Sequence, residues 1–138
     1  FKFKMQIREI KPDFKDDRGI ISDIFYKTKI DHVAEIKTFD GNFIRGNHYH
    51  KESTQHIYMV NGSLRYWYKG LRPETEVKSI LVPQGWLVTT EPYEVHSLEM
   101  LGPSIFIVFS SGLRGGKDYE EDTFREYVIL TREMLKGK

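Results

Sequence analysis

The stretch FIRGNHYHKESTQHIYMVNG, residues 43–62, decides how the rest of the chain is read. Residues 43–50 and 54–60 are short runs rich in aromatic and β-branched side chains, each about the length of a strand. Asn61-Gly62 follows, a pair that tolerates the positive φ angles of a two-residue turn, and predicts a hairpin joining 54–60 to 63–69. Alternate side chains of a strand point to opposite faces, so His48 and His50 share one face and Tyr49 takes the other. The same count puts Ile44 and Gly46 on the histidine face.

Outward from this stretch the same punctuation repeats. Strands are expected over 20–26, 32–39, 75–82, 86–90, 93–100 and 104–110, bounded by turns such as Asp40-Gly41-Asn42 and Pro83-Gln84-Gly85. About nine strands without an intervening helix specify an all-β chain, a jelly roll or small barrel with an interior wide enough for a ligand or metal. On 93–100, Glu94, His96, Leu98 and Met100 share a face; turned inward, that face brings His96 to His48 and His50. Helix is expected only in the tail, 119–136, where Tyr127-Val128-Ile129-Leu130 also reads as a last strand. The reading is a single domain over 1–138, with a core over about 13–112 and a short C-terminal extension over about 113–138.

Composition removes whole classes of function. With 21 Lys+Arg against 20 Asp+Glu, a formal +1, bulk charge draws the protein neither to nucleic acid nor to a membrane surface. The absence of cysteine excludes a disulfide scaffold, thiolate zinc sites and a cysteine nucleophile. No run approaches the roughly 18 apolar residues of a membrane helix. Phe1-Lys-Phe-Lys-Met5 lacks the apolar core of a secretory signal, so a cytoplasmic location is expected, with Met5 a candidate initiator. Chemistry is left to five histidines, the carboxylates and eight tyrosines.

An isolated strand histidine is usually a packed, hydrogen-bonded residue. A His-x-His pair differs, because two imidazoles on one face can share a proton or a cation. The pair here extends to the spacing His48-x-His50-x(4)-Gln55-x(6)-Gly62. This resembles the first cupin motif, with Gln55 standing where a carboxylate is usual. Pro83-x-Gly85 resembles the start of the second motif, but Val88 replaces its histidine and His96 is the nearest substitute. Asp17-Arg18-Gly19 and Ile44-Arg45-Gly46-Asn47-His48 resemble the dTDP-4-dehydrorhamnose 3,5-epimerases and the dTDP-sugar 3,4-ketoisomerases. His50 with Gln55, and the stretches 105–110 and 117–122, lean toward the ketoisomerases. Arg45–His50 also resembles the cupin half of reductase–cupin fusions of capsular sugar biosynthesis, some of which bind zinc.

The resemblance implies a cupin fold and an isomerase of nucleoside-diphosphate 4-keto-6-deoxy sugars, with no cofactor required. It implies His48 and His50 as acid–base groups, with Arg45, Asn47, Gln55 and Arg65 as substrate-binding candidates. Imidazole suits the shuttle because its ordinary pKa, about 6.5, lets it take and return a proton near neutrality. An arginine fork is a natural partner for the diphosphate. Two alternatives stand beside this. A metallocupin would hold Zn, Mn, Fe or Ni on His48, His50 and His96, with Gln55 or His56 as fourth ligand. A non-catalytic sugar-binding module would use the same barrel. Open sheet edges suggest a homodimer that covers them. Aromatics at 66–68 interleaved with Arg65 and Lys69 are read as packing before base stacking, the charged stretch 120–126 as solvated surface or a subunit contact, and Arg114-Gly115-Gly116-Lys117 is discounted as a phosphate loop for want of the spacing.

Overall fold

A computed structural model of the chain describes residues 5–112 and 120–136. Eleven strands account for most of the described regular structure. They are β1 (Gln6–Glu9), β2 (Phe14–Asp16), β3 (Gly19–Ile21), β4 (His32–Thr38), β5 (Phe43–His48) and β6 (Thr54–Asn61), followed by β7 (Leu64–Lys69), β8 (Lys78–Val82), β9 (Trp86–Thr90), β10 (Val95–Met100) and β11 (Ser104–Ser111). A short helix, α1 (Arg132–Lys136), lies in the tail. The strands form a five-stranded sheet ordered β1-β9-β6-β11-β4, a four-stranded sheet ordered β5-β10-β7-β8, and the separate hairpin β2-β3. No helix among the described residues is long and apolar enough to cross a membrane.

From β4 to β11, every connection passes from one large sheet to the other except β7 to β8, which pair as a hairpin. The expected hairpin at Asn61-Gly62 is therefore corrected: β6 pairs with β11 and β9, β7 with β10 and β8, and the turn carries the chain between sheets. Of the pair, Gly62 alone takes the positive φ of a turn, +79°, where a Cβ would meet the Pro103 carbonyl at 2.6 Å, while Asn61 stays in β6 opposite Ile105. Local turn preference does not specify which strand pairs with which.

The strand expected over 20–26 stops at Ile21, where β3 has used up its partner β2. Phe25 leaves the ladder and packs on the outer face of the large sheet, its ring centroid 4.7 Å from His56 and 4.9 Å from Phe109. The expected strands 75–82 and 93–100 begin late, at Lys78 and Val95. At the other end of the core, β1 lies ahead of the boundary at 13 and pairs with β9 across Gln6–Glu9.

Inward residues follow one order along each strand. β10 and the turn before it place Met100 and Leu98, then His96 and Glu94, in the interior; β6 and its approach place Met59 and Ile57, then Gln55 and Ser53; β11 places Phe106 and Val108, then Ser110. One end of the space between the sheets is a hydrocarbon core, including Leu64, Tyr66, Val82 and Val88. The other end is lined by buried polar groups. Burial of the apolar set supplies the driving force for closing the sandwich.

Candidate active site

The polar end is organised by a β-bulge in β5. His48 lies opposite His96 and Gly46 opposite Ser97, so Asn47 is the extra residue. Gly46 (φ +101°) and Asn47 (φ +58°) both occupy positive-φ backbone, and a Cβ at Gly46 would meet the His96 carbonyl at 2.9 Å. The bulge reverses the face count along β5. Arg45, opposite Leu98, shares the histidine face, and the expectation that Ile44 shares it is corrected. Asn47 points away from the interior: its Nδ2 donates to the Leu130 carbonyl at 2.9 Å, and its Oδ1 accepts from the Ile129 and Leu130 amides at 3.0 and 3.1 Å.

His48, His50 and His96 come together as expected. Their ring centroids lie 4.9 Å (48–50), 4.6 Å (48–96) and 5.7 Å (50–96) apart. His48 and His96 line a cavity of about 370 Å³ together with Arg45, Gly46, Gln55 and Arg125 on its polar side and Ile57, Leu98, Phe106 and Val108 on its apolar side. His50, 1% exposed, stands behind this wall. Its Nδ1 lies 2.7 Å from the Asp122 carbonyl oxygen, which can only accept, so Nδ1 carries the proton and Nε2 bears the lone pair of the neutral ring. His96 is fixed in the same way, with Nδ1 donating to the Glu94 carbonyl at 3.1 Å. Complete burial, reinforced by the neighbouring His50, pushes the His96 pKa down to about 3. His96 therefore stays neutral at working pH and presents a lone pair rather than a proton.

Several of the site's supports were not singled out in the sequence. Glu94, 1% exposed, accepts a hydrogen bond from the Tyr66 hydroxyl at 2.7 Å, and burial raises its pKa to about 7. Tyr66 also meets the Thr90 hydroxyl at 2.6 Å, and its ring lies parallel to His96 at 6.2 Å. Asp122 accepts from the Lys51, Glu52 and Ser53 amides and from the Ser53 hydroxyl, knitting the tail to the loop after His50. Tyr49 and Phe124 exchange two backbone hydrogen bonds of 3.0 Å and stack at 5.3 Å. The charged stretch 120–126 is accordingly not simply solvated surface: Asp122 is 2% exposed, and Arg125, held by Glu120 at 3.0 Å, reaches the cavity. Of these residues strand periodicity marks only Glu94, on the face of His96.

Other candidates fall elsewhere. His56 faces outward, bound to the Thr89 hydroxyl at 2.7 Å, so it is no fourth ligand; burial lowers its pKa. Arg65 lies on the far face of the four-stranded sheet, 3.4 Å from the Ser79 hydroxyl. Trp67 donates to Glu99 at 3.0 Å and Tyr68 packs on the core, as the packing reading expected. Val88 fills the core where the second motif would place a histidine, and β10 supplies His96 instead. Arg114–Lys117 lies outside the described residues.

The histidine set suits a divalent metal in kind: one ligand atom from each ring lies within 4.8 Å of the others, and two rings are oriented by carbonyls. Zinc–nitrogen bonds of about 2.0–2.1 Å in a tetrahedron put ligand atoms about 3.3 Å apart, so the rings would have to close inward. Imidazoles bind a metal only as neutral donors, so the set would leave the metal's charge uncompensated, and the nearby Glu94 carboxyl is engaged by Tyr66.

No protein-family model and no curated protein sequence matches the chain. Solved structures do. The sugar 3,4-ketoisomerase QdtA of Thermoanaerobacterium thermosaccharolyticum, in complex with TDP, superimposes with a TM-score of 0.74 over 92% of this chain and 91% of its own, at 22% identity. A 3,4-ketoisomerase of Helicobacter canadensis gives 0.75 over 91% and 92%, at 19% identity. The dTDP-4-dehydrorhamnose 3,5-epimerase of Bacillus anthracis, with TDP and pyrophosphate bound, gives 0.69 over 83% and 75%, at 16% identity. The chain has the cupin fold. The jelly roll expected from its strand pattern is the fold of these proteins as well.

Proposed function

We infer that the protein is an isomerase of nucleoside-diphosphate 4-keto-6-deoxy sugars, catalysing 3,4-ketoisomerisation or C3/C5 epimerisation by histidine proton transfer. The observation that carries this reading is His48 on the cavity wall with His50 directly behind it, its tautomer fixed by the tail. QdtA has also been solved with TDP-4-keto-6-deoxyglucose, on the same fold at 20% identity, which supports this choice of substrate class.

In the ketoisomerase form, a neutral imidazole takes the C3 proton as the C–H electrons form the C3=C4 bond, and the imidazolium so formed gives a proton to the C4 oxygen. Loss of the proton from the C3 hydroxyl oxygen then drives protonation at C4, leaving the ketone at C3 and conserving every atom. His48 meets the sugar and His50 exchanges protons with it. His96, held neutral, adds no positive charge beside the pair. Arg45 and Arg125 face the diphosphate, and Gln55 a sugar hydroxyl. Asn47 and Arg65, engaged elsewhere, drop out of the substrate set.

Incubation with dTDP-4-keto-6-deoxyglucose, followed by NMR of the sugar, tests this. Migration of the ketone or inversion at C3 or C5 is expected, and His48→Asn should abolish it. No conversion of this or related nucleotide sugars would overturn the reading. The histidine cluster also favours one second reading, a bound divalent metal on His48, His50 and His96 with Gln55 beside them. Elemental analysis of protein purified without a histidine tag or chelator decides it: stoichiometric metal supports that reading, and metal-free active protein removes it.

A further inference from the structure

We propose that Glu120 is a positioning residue for substrate binding: its carboxylate holds the Arg125 guanidinium at the cavity wall, oriented to receive the diphosphate of a nucleotide sugar. This rests on the isomerase reading above and deepens it at one residue. Glu120 grips both terminal nitrogens of Arg125, accepting from Nη1 at 3.0 Å on one oxygen and from Nη2 at 3.2 Å on the other. The grip takes two of the five N–H donors that a guanidinium carries and fixes the plane of the others. The hydrogen bonds from Arg125 hold the Glu120 carboxyl below its ordinary pKa, so the pair is ionic at neutral pH.

Arg125 is fixed at its backbone end as well. Phe124 exchanges two backbone hydrogen bonds with Tyr49 and stacks on its ring outside the sheet. Alternation along an extended segment then turns the next side chain inward, and Arg125 lines the cavity. The Thr123 amide donates to the Glu120 carbonyl at 3.2 Å, closing the turn that returns Glu120 to Arg125. Among the described residues no ion pair holds Arg45, the other arginine of the cavity. Both side chains of the Glu120–Arg125 pair are more than half exposed, where an ion pair adds little to stability. Its consequence lies in where it puts the guanidinium.

Two effects of Glu120 on an incoming phosphate oppose each other. Its charge repels the anion, but a unit charge about 4 Å away in water changes affinity by only about sixfold, and salt reduces this. Immobilising a loose arginine side chain on binding weakens affinity by up to about thirtyfold, a loss avoided where the side chain is already held. Positioning is the larger effect.

Calorimetric titration with dTDP tests this. The wild type is expected to bind, and Arg125→Ala should raise the dissociation constant by about tenfold or more, the loss of charge-assisted hydrogen bonds. Glu120→Ala should raise it by at least about fivefold at physiological salt. Because Glu120 acts through Arg125, the double variant should bind within about twofold of Arg125→Ala alone. Thymidine, which lacks the diphosphate, should bind Glu120→Ala and wild type alike. Circular dichroism checks that each variant folds. A Glu120→Ala protein that binds dTDP as tightly as the wild type, or more tightly, would overturn the proposal and leave the isomerase reading standing. So would losses that add in the double variant, or an equal loss for thymidine, the marks of a merely structural role. A wild type that binds no dTDP would overturn the diphosphate site itself, and the role of Glu120 with it.

Discussion

The two ends of the space between the sheets are built from the same strands and do opposite work. Met100 and Leu98 sit among hydrocarbon, and His96, next on the same face of β10, lies in a cluster of imidazoles, hydroxyls and a carboxyl. Gln55 stands in the same relation to Ile57 and Met59 on β6, and Ser110 to Val108 and Phe106 on β11. The apolar end can be specified by hydrophobicity and volume alone. The polar end needs partners for its buried groups, and two of them come from distant parts of the chain: the Asp122 carbonyl for His50, the Tyr66 hydroxyl for Glu94. Damage at the first should cost stability with little change in chemistry per folded molecule. Damage at the second should cost chemistry, or make stability depend on pH.

The largest expected effect is at the polar end. His48→Ala and His50→Ala should each lower kcat by about 10²–10⁴-fold, the usual worth of a positioned acid–base group, while thermal unfolding shows both variants folded. Activity retained in the double variant would dissolve the distinction between the ends. At the apolar end, Leu64→Ala, at a fully buried position, should cost about 2–5 kcal/mol in denaturant unfolding. Below the transition its kcat should stay within about twofold of the wild type, since Leu64 is not on the cavity wall.

Asp122→Ala lies between these cases. It strands three loop amides and a hydroxyl, for which about 1–3 kcal/mol of destabilisation is expected. Because it frees the tail that fixes the His50 tautomer through its backbone carbonyl, kcat should fall as well, by more than a surface substitution would cause.

The smallest effect is the shape of stability against pH. Glu94, raised from 4.5 to about 7, holds its proton in the fold where the unfolded chain has lost it, so its contribution declines as pH rises from about 4.5 to 7. His96, lowered from 6.5 to about 3, is neutral in the fold where the unfolded chain is charged, so stability falls as pH drops from about 6.5 to 3. Between about 4.5 and 6.5 the two slopes oppose. Glu94→Gln removes one of them: the variant should gain on the wild type above pH 7, on the order of 1–3 kcal/mol, and lose stability steadily on acidification. Parallel curves for the two proteins would show that Glu94 is ionised in the fold.

The comparison also separates what the sequence carries openly from what it conceals. Strands announce themselves through alternation and turn residues, and His48, His50 and His96 converge as parity on two strands requires. Parity fails where a bulge intervenes: Arg45 reaches the cavity only because Asn47 is an extra residue, and a bulge has no reliable local signature beyond a glycine such as Gly46. Pairing fails where turn chemistry is local and sheet membership is not, as at Asn61-Gly62. The tail was the least legible part. Asp122 reaches the site through contacts some 70 residues away in sequence, and Arg125 lines the cavity beside residues as distant, which no window-based pattern can register.

Solvent exchange at the sugar is the most direct test of the histidine end as a proton-transfer site. With dTDP-4-keto-6-deoxyglucose in deuterated water, wild-type protein should place deuterium at C3 of recovered substrate or C4 of product, or at C5 if it epimerises there, and His48→Asn should place none. Unlabelled sugar after prolonged incubation with wild-type protein, or equal labelling with both proteins, would contradict it.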